Sequence, residues 1–264
     1  MGTILDQILH HTWGVVALPS LLLLASAEIG YRLGKRVHLT LDDARKATIG
    51  GVQGAVLGLL GLLLGFTFAM AVQRYDARRL LVLDDANAIG TTFLRASLLP
   101  EAHVAPVQDL LRRYVALRLE YTPAFEDPAK FAEGLRQSAA VQTELWTHAV
   151  AAATEAPTPI VATFVNALND MIDLDATRLA AARARIPISI WVLLLVVAAF
   201  GCVTSCYVAG AAGGRSAFSS IALPLLIAVV LFLVFDLMHP RQGFIGLSQQ
   251  PMLDLQQSMG SGSR

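Results

Sequence analysis

Hydrophobic and charged residues follow one another along the chain in long blocks rather than in short periods. Four runs contain no Asp, Glu, Lys or Arg, namely residues 7–27, 47–73, 186–214 and 216–235. A helix needs about 20 apolar residues to cross a bilayer, because each backbone polar group must be paired within the helix. We therefore predict four transmembrane helices, at about 12–31, 48–73, 187–210 and 217–238.

The segment between the second and third spans carries most of the charged residues and has the pattern of water-soluble helices. No proline occurs between Pro19 and Pro100, so the second span is predicted to continue as one helix beyond the membrane. Asp127-Pro128 and Thr158-Pro159 each join an N-cap residue to a first-turn proline, and each predicts the start of a helix. The predicted fold class is an all-α integral membrane protein whose long helices continue into a helical cytosolic stalk.

This pattern divides the chain into four regions. They are transmembrane helices 1 and 2 at 12–73, a cytosolic helical region at 74–186, transmembrane helices 3 and 4 at 187–238, and a C-terminal tail at 239–264. Arg and Lys residues near the membrane are almost evenly divided between the two sides. The positive-inside rule therefore gives no orientation from charge alone.

Composition narrows the functional classes further. Hydrophobic residues make up 55% of the 264 residues, charged residues only 15%, and the formal net charge is zero, so nucleic acid is not an expected partner. Two cysteines exclude a disulfide scaffold and a four-cysteine zinc site. No Walker loop, dinucleotide-binding glycine pattern, HExxH or nucleophile elbow occurs. We expect no enzyme activity, catalytic residue, cofactor or metal.

A stripe of glycines marks the second span. Gly50, Gly54, Gly58, Gly61 and Gly65 are spaced by four, four, three and four residues, which places them on one helix face. Such a face allows the backbone of another helix to approach closely in lipid. The partner is either another span of the same chain or a copy of this helix around a symmetry axis beside a pore.

Larger apolar side chains form a second stripe on the same span. Leu62, Phe66 and Met70 are spaced by four residues. A ring of such side chains around an axis makes a constriction that gates by excluding water. The alternative is that the stripe packs against lipid or a neighbouring helix.

Ionisable side chains at the ends of spans are further candidates. Glu28, Asp236 and His239 lie at such positions, where charged groups either serve a function or reach the membrane surface. Asp236 and His239, one turn apart, could share a proton or contribute to a metal site. In the charged segment, Asp170, Asp173 and Asp175 precede Arg178. They form either a solvated helix face with an Asp175–Arg178 pair or a vestibule that attracts cations.

Several short segments carry a resemblance to a known family. They are Leu64-Gly65-Phe66, Arg74-Tyr75-Asp76-Ala77-Arg78-Arg79, Asn87-Ala88-Ile89-Gly90, Phe235-Asp236-Leu237 and Ser248-Gln249-Gln250-Pro251. Over residues 12–257 the chain resembles the bestrophin-like family of bacterial membrane proteins and, more distantly, the bestrophin ion channels. The resemblance implies a homopentamer in the inner (cell) membrane, with residues 74–185 in the cytoplasm.

The resemblance also suggests a site. Bestrophins line a hydrophobic neck with their second span, which implies neck positions Gly58, Leu62, Phe66 and Met70 in this chain. Calcium-activated members carry acidic residues after the last span, whereas this chain has His239-Pro240-Arg241-Gln242-Gly243 there. Calcium gating is therefore not implied.

Two functional hypotheses follow. The first is an oligomeric channel in the lipid bilayer that conducts small inorganic ions of undetermined selectivity. The second is a non-conducting membrane scaffold that binds a partner through its cytosolic helices. A closed ring with the second span at its axis favours the channel, and a monomer or simple dimer favours the scaffold.

Overall fold

The computed structural model describes residues 12–37, 43–122, 127–184, 187–214, 218–238 and 246–261. These residues are almost entirely helical and contain no strand, which confirms the all-α prediction. The α-helices are α1 (Thr12–Val37), α2 (Asp43–Ala96), α3 (Glu101–Tyr121), α4 (Pro128–Glu155), α5 (Pro159–Arg183), α6 (Ile188–Ala211), α7 (Leu223–Met238) and α8 (Gln250–Ser261). A π-helical turn, Phe218–Ala222, precedes α7.

The helices form two compact units. The first comprises the described residues of Met1–Arg74 and Arg185–Ile245, and the second those of Tyr75–Ala184 and Gly246–Arg264. Helix α2 supplies residues to both units, because it runs without a break from Asp43 to Ala96.

Three helical stretches of the described residues are long and apolar enough to cross a membrane. They lie within Ala47–Ala96, Pro159–Ala211 and Ser220–Met238, and the second range also includes residues 185 and 186, which the structure does not describe. The first two ranges contain the predicted second and third spans, and the last overlaps the predicted fourth span from residue 220 onward. The predicted first span lies within α1, which is not among these stretches. A fourth membrane crossing and a cytosolic stalk therefore remain predictions.

Close backbone contact in the first unit occurs between α1 and α6. A Cβ added to Gly30 would lie 2.2 Å from the carbonyl oxygen of Val203, and one added to Gly34 would lie 2.2 Å from that of Tyr207. Gly210 of α6 approaches α1 in return, with its added Cβ 2.5 Å from the Tyr31 carbonyl oxygen. Only glycine fits these positions, because real Cβ atoms do not come within 3.0 Å of such atoms.

Two helices of the second unit begin at the predicted capping residues. Asp127 Oδ1 accepts hydrogen bonds from the backbone N–H groups of Ala129 and Lys130, at 3.1 Å each. Thr158 Oγ1 accepts one from the Val161 N–H at 3.3 Å. Both predicted helix starts are thus confirmed, with Pro128 and Pro159 in the first turn.

The C-terminal region, expected as a tail, contributes a helix to the second unit. Met252 and Met259 of α8 are buried in the same apolar core as Ile89, Leu111 and Leu145. Arg112 Nε of α3 also donates a hydrogen bond to the Met259 carbonyl oxygen at 3.2 Å. Residues 250–261 are therefore part of the folded core.

Candidate functional site

Helix α2 packs on one side and is open on the other. Leu60, Thr67 and Ala71 are almost fully buried. At 100° per residue they lie opposite Leu62 and Phe66, which are 56% and 65% exposed. Gly58 is also exposed, whereas Met70 is half-buried. Three of the four predicted neck positions therefore lie on a face that no described part of the same chain covers.

The glycine stripe belongs to the open side of α2. A Cβ added to Gly50, Gly54, Gly58, Gly61 or Gly65 would meet nothing within 4 Å. Packing of this stripe against another span of the same chain is therefore not seen among the described residues. Packing against another copy remains a prediction.

The buried side of α2 contacts α6 instead. A Cβ added to Gly201 would lie 3.2 Å from Leu57 Cδ2. Gln53 Nε2 donates a hydrogen bond to Ser205 Oγ at 3.1 Å, which pairs one polar group from each helix. These contacts leave the face with Leu62 and Phe66 pointing away from α6.

The structure describes two of the three predicted ionisable candidates, Glu28 and Asp236. Glu28 is half-buried, and its Oε1 accepts a hydrogen bond from Arg32 Nε at 2.8 Å. Asp236 is buried within α7. His239 lies outside the described residues, so its pairing with Asp236 stays a prediction.

A buried ion cluster in the second unit was missed from the sequence. Arg118 of α3 is 1% exposed and forms ion pairs with Asp85 of α2 and Asp175 of α5. Arg178 Nη2 lies 3.4 Å from Asp175 Oδ1, and Arg178 Nε lies 3.7 Å from Asp85 Oδ2. The two arginines and two aspartates compensate one another's charge within the core. The Asp175–Arg178 pair predicted on a solvated face does form, but it belongs to this cluster, and its Arg178 and Asp175 side chains are only 10% and 15% exposed.

Neutral polar side chains complete this cluster. Arg118 Nη1 donates a hydrogen bond to Tyr114 Oη at 2.7 Å, and Arg178 Nη2 donates one to Tyr121 Oη at 3.1 Å. Gln142 Nε2 of α4 donates to Tyr114 Oη and to Asp175 Oδ2, both at 3.0 Å. The cluster therefore links α2, α3, α4 and α5.

Burial dominates the electrostatics of this cluster. It raises the pKa of Asp85 above its usual value, and the charges of Arg118 and Arg178 offset only part of that shift. Burial likewise raises the pKa of the Tyr114 hydroxyl. In the part of the chain that the structure describes, no three His, Cys, Asp or Glu side chains converge as a metal site.

Comparison with known families identifies the chain. The family model described as the Bestrophin-like domain matches residues 21–252. The chain belongs to the Bestrophin-like family. The resemblance stated from the sequence is confirmed, and this Bestrophin-like chain is a membrane protein with apolar helices. No curated protein matches its sequence.

Solved structures show the same fold for this Bestrophin-like protein. Two are crystal structures of single-site mutants of a bacterial bestrophin homologue from Klebsiella pneumoniae. Both are 13% identical to this chain in sequence. The first has a TM-score of 0.62 and covers 94% of this chain and 97% of its own. The second has a TM-score of 0.64 and covers 93% of this chain and 98% of its own. A third is a mutant described only as a membrane protein, 14% identical, with a TM-score of 0.62 over 95% of this chain and 97% of its own. The likeness covers nearly the whole of each chain.

Proposed function

We propose that this Bestrophin-like chain is the subunit of an oligomeric ion channel, in which α2 of every copy faces a common axis. The exposure of Leu62 and Phe66, opposite the buried Leu60, Thr67 and Ala71, supports this arrangement. In a ring of copies, Leu62 and Phe66 would form an apolar neck. The family resemblance suggests five copies.

The glycines favour copies of α2, rather than lipid alone, along this helix. Gly54, Gly58, Gly61 and Gly65 leave a groove beside Leu62 and Phe66 with no side chain above the backbone. Small residues at this spacing are typical of close helix–helix approach in membranes, where van der Waals packing drives association. The combination of a groove with large apolar side chains beside it suits a tight axial bundle.

An apolar neck would conduct little at rest. No Asp, Glu, Lys or Arg lies between residues 47 and 73, so the neck would have no fixed charge. A narrow ring of apolar side chains excludes water, and ions then face a barrier until the ring widens. The charge of the permeant ion is left open by this arrangement. The proposed location is the inner membrane, with residues 74–185 in the cytoplasm.

Ion flux into liposomes tests the proposal. We expect purified oligomers to pass small ions slowly, and Phe66→Ala to raise the flux because it widens and wets the neck. Trp146→Ala is the control, since Trp146 is also an exposed aromatic residue but lies on α4, outside the predicted membrane spans. If neither the native chain nor Phe66→Ala conducts, while a known channel conducts in parallel, the channel proposal fails.

One observation favours the scaffold as a second candidate. In the second unit, Leu80, Leu83 and Leu94 are exposed on one face of α2, and Leu94 is 72% exposed. A leucine stripe of this kind is typical of a surface that binds another protein. A non-conducting monomer that loses a partner when Leu94 is changed to Gln would support the scaffold over the channel.

A further inference from the structure

Two histidines of the second unit face each other through the same type of ring nitrogen. His103 lies in the first turn of α3, and His148 lies near the end of α4. Their Nδ1 atoms are 3.0 Å apart, and their rings meet edge to face with centroids 5.3 Å apart. Both side chains are partly buried, so the neighbouring helices restrict their orientation.

A carboxylate lies near the second ring nitrogen of His103, Nε2. Glu155 Oε2, at the end of α4, is 3.5 Å from His103 Nε2. A carboxylate in this position favours a proton on Nε2, which leaves the lone pair of Nδ1 directed at His148. Metal-binding histidines commonly have this arrangement, in which one ring nitrogen binds the ion and the other contacts a carboxylate.

The distance between the two nitrogens suits a shared transition-metal ion. Histidine nitrogens lie about 2.0–2.1 Å from Zn²⁺. Two such ligands are therefore about 3.3 Å apart in tetrahedral geometry, and about 2.9 Å apart at the right angle that Cu²⁺ favours. The observed 3.0 Å lies between these values. Small side-chain rotations would direct both lone pairs at one ion.

We propose that His103 and His148 bind a divalent transition-metal ion, of the class of Zn²⁺ or Cu²⁺, through their Nδ1 atoms. Water or a small external ligand completes the coordination, since no third protein ligand converges there among the described residues. Glu155 acts as a positioning residue through His103. The bound ion links the start of α3 to the end of α4.

An N–H···N hydrogen bond between the rings is the arrangement that the ion would replace. The two arrangements differ in their response to added ions. Imidazole binds Zn²⁺ and Cu²⁺ well, whereas Mg²⁺ and Ca²⁺ prefer oxygen ligands. An ion that binds only the folded chain raises its melting temperature with concentration, whereas a hydrogen bond alone gives no such dependence.

The experiment uses the full chain in detergent, purified without a histidine tag and stripped of metal with a chelator. We expect Cu²⁺ and Zn²⁺ to raise its melting temperature, Cu²⁺ at the lower concentration, and Mg²⁺ and Ca²⁺ to leave it unchanged. His103→Gln and His148→Gln should each abolish the rise. Glu155→Gln should retain it but require about 10–100-fold more metal. His11→Gln, which changes a histidine elsewhere in the sequence, should behave as the native chain.

Two results would overturn the proposal. One is the absence of a Cu²⁺ or Zn²⁺ effect in the native chain, and the other is an equal effect in the native chain and in both His variants. If a variant fails to fold, electron paramagnetic resonance of the native chain with one equivalent of Cu²⁺ decides. Hyperfine coupling of the Cu²⁺ electron spin to two imidazole nitrogens supports the proposed site, and any other set of ligands rejects it.

Discussion

Arg118 and Asp85 form an ion pair that lies almost completely out of reach of water. Both side chains are about 1% exposed, and they belong to two different helices, α3 and α2. Removing charges from water is costly, so each partner depends on the other to remain ionised in the core. This dependence gives the pair a measurable signature.

Loss of one partner of this ion pair should strongly destabilise the folded chain. We expect Arg118→Met to lower the free energy of unfolding by about 3–5 kcal/mol, because it leaves a buried carboxylate without its main partner. Chemical unfolding followed by circular dichroism would measure the change. Arg136→Met, which breaks an exposed pair with Glu133, is the control and should leave stability unchanged. A similar loss in both variants would contradict the role of burial.

The raised pKa of the Asp85 carboxyl should be visible in the pH dependence of the stability. Its pKa in the folded chain is raised above the ordinary value of 3.8, because burial disfavours the charged form. The stability contributed by this group is therefore greatest below 3.8 and is lost as pH rises through the folded value. The melting temperature of the native chain relative to Asp85→Asn should rise as pH falls from 7 towards 4. A constant difference would show that the pKa is not raised.

Contact between α1 and α6 should tolerate no side chain at Gly34. We expect Gly34→Ala to destabilise the chain by about 1–3 kcal/mol or more, since its Cβ would lie 2.2 Å from the Tyr207 carbonyl oxygen. Thermal melting in detergent would measure this loss. Gly260→Ala on α8 is the control, because nothing lies within 4 Å of its added Cβ. Equal melting temperatures for the two variants would refute the close contact.

Assembly should depend on the open glycine stripe of α2. We expect Gly58→Leu and Gly61→Leu to weaken the oligomer by about 1–3 kcal/mol, because the added side chains would fill the groove between copies. Mass measurements of the detergent-solubilised particle over a dilution series would follow dissociation. Unchanged assembly in both variants would indicate that this face contacts lipid.

Orientation in the membrane can be read by chemical labelling. We expect a cysteine placed at Glu133, which is exposed on α4, to resist a membrane-impermeant reagent added to intact cells. It should react after the membrane is opened. The two native cysteines, Cys202 and Cys206, are buried and give little background. Labelling of position 133 in intact cells would reverse the proposed orientation.

Helix positions were largely predictable from local patterns, because capping and proline effects act within a few residues. Asp127 and Thr158 begin helices where the sequence predicted, since each side chain caps the backbone next to it. The apolar runs likewise gave the second, third and fourth membrane-span candidates. Helix starts and apolar spans can be predicted without knowing which helices contact one another.

The contacts between helices were much less predictable. The five-glycine stripe of α2 predicts a close helix approach, yet among the described residues the glycines that closely approach the backbone of another helix are Gly30, Gly34 and Gly210. A glycine pattern indicates that a close approach is possible, but the partner depends on the tertiary arrangement. The sequence does carry a signal for Asp85, since this residue lies between Val82 and Ile89 on the buried side of α2. A carboxylate in an apolar stripe indicates a buried partner.

The packing of α1 against α6 has a consequence for biosynthesis. Gly30 and Gly34 are synthesised well before Val203 and Tyr207, because a long stretch of chain separates them. Another helix that packs on α1 within the first unit, α7, is synthesised later still. Helix α1 is therefore synthesised well before these partners, and contacts between such distant segments form slowly. The first unit must be completed after synthesis of its last helices, and it is exposed to misassembly until then.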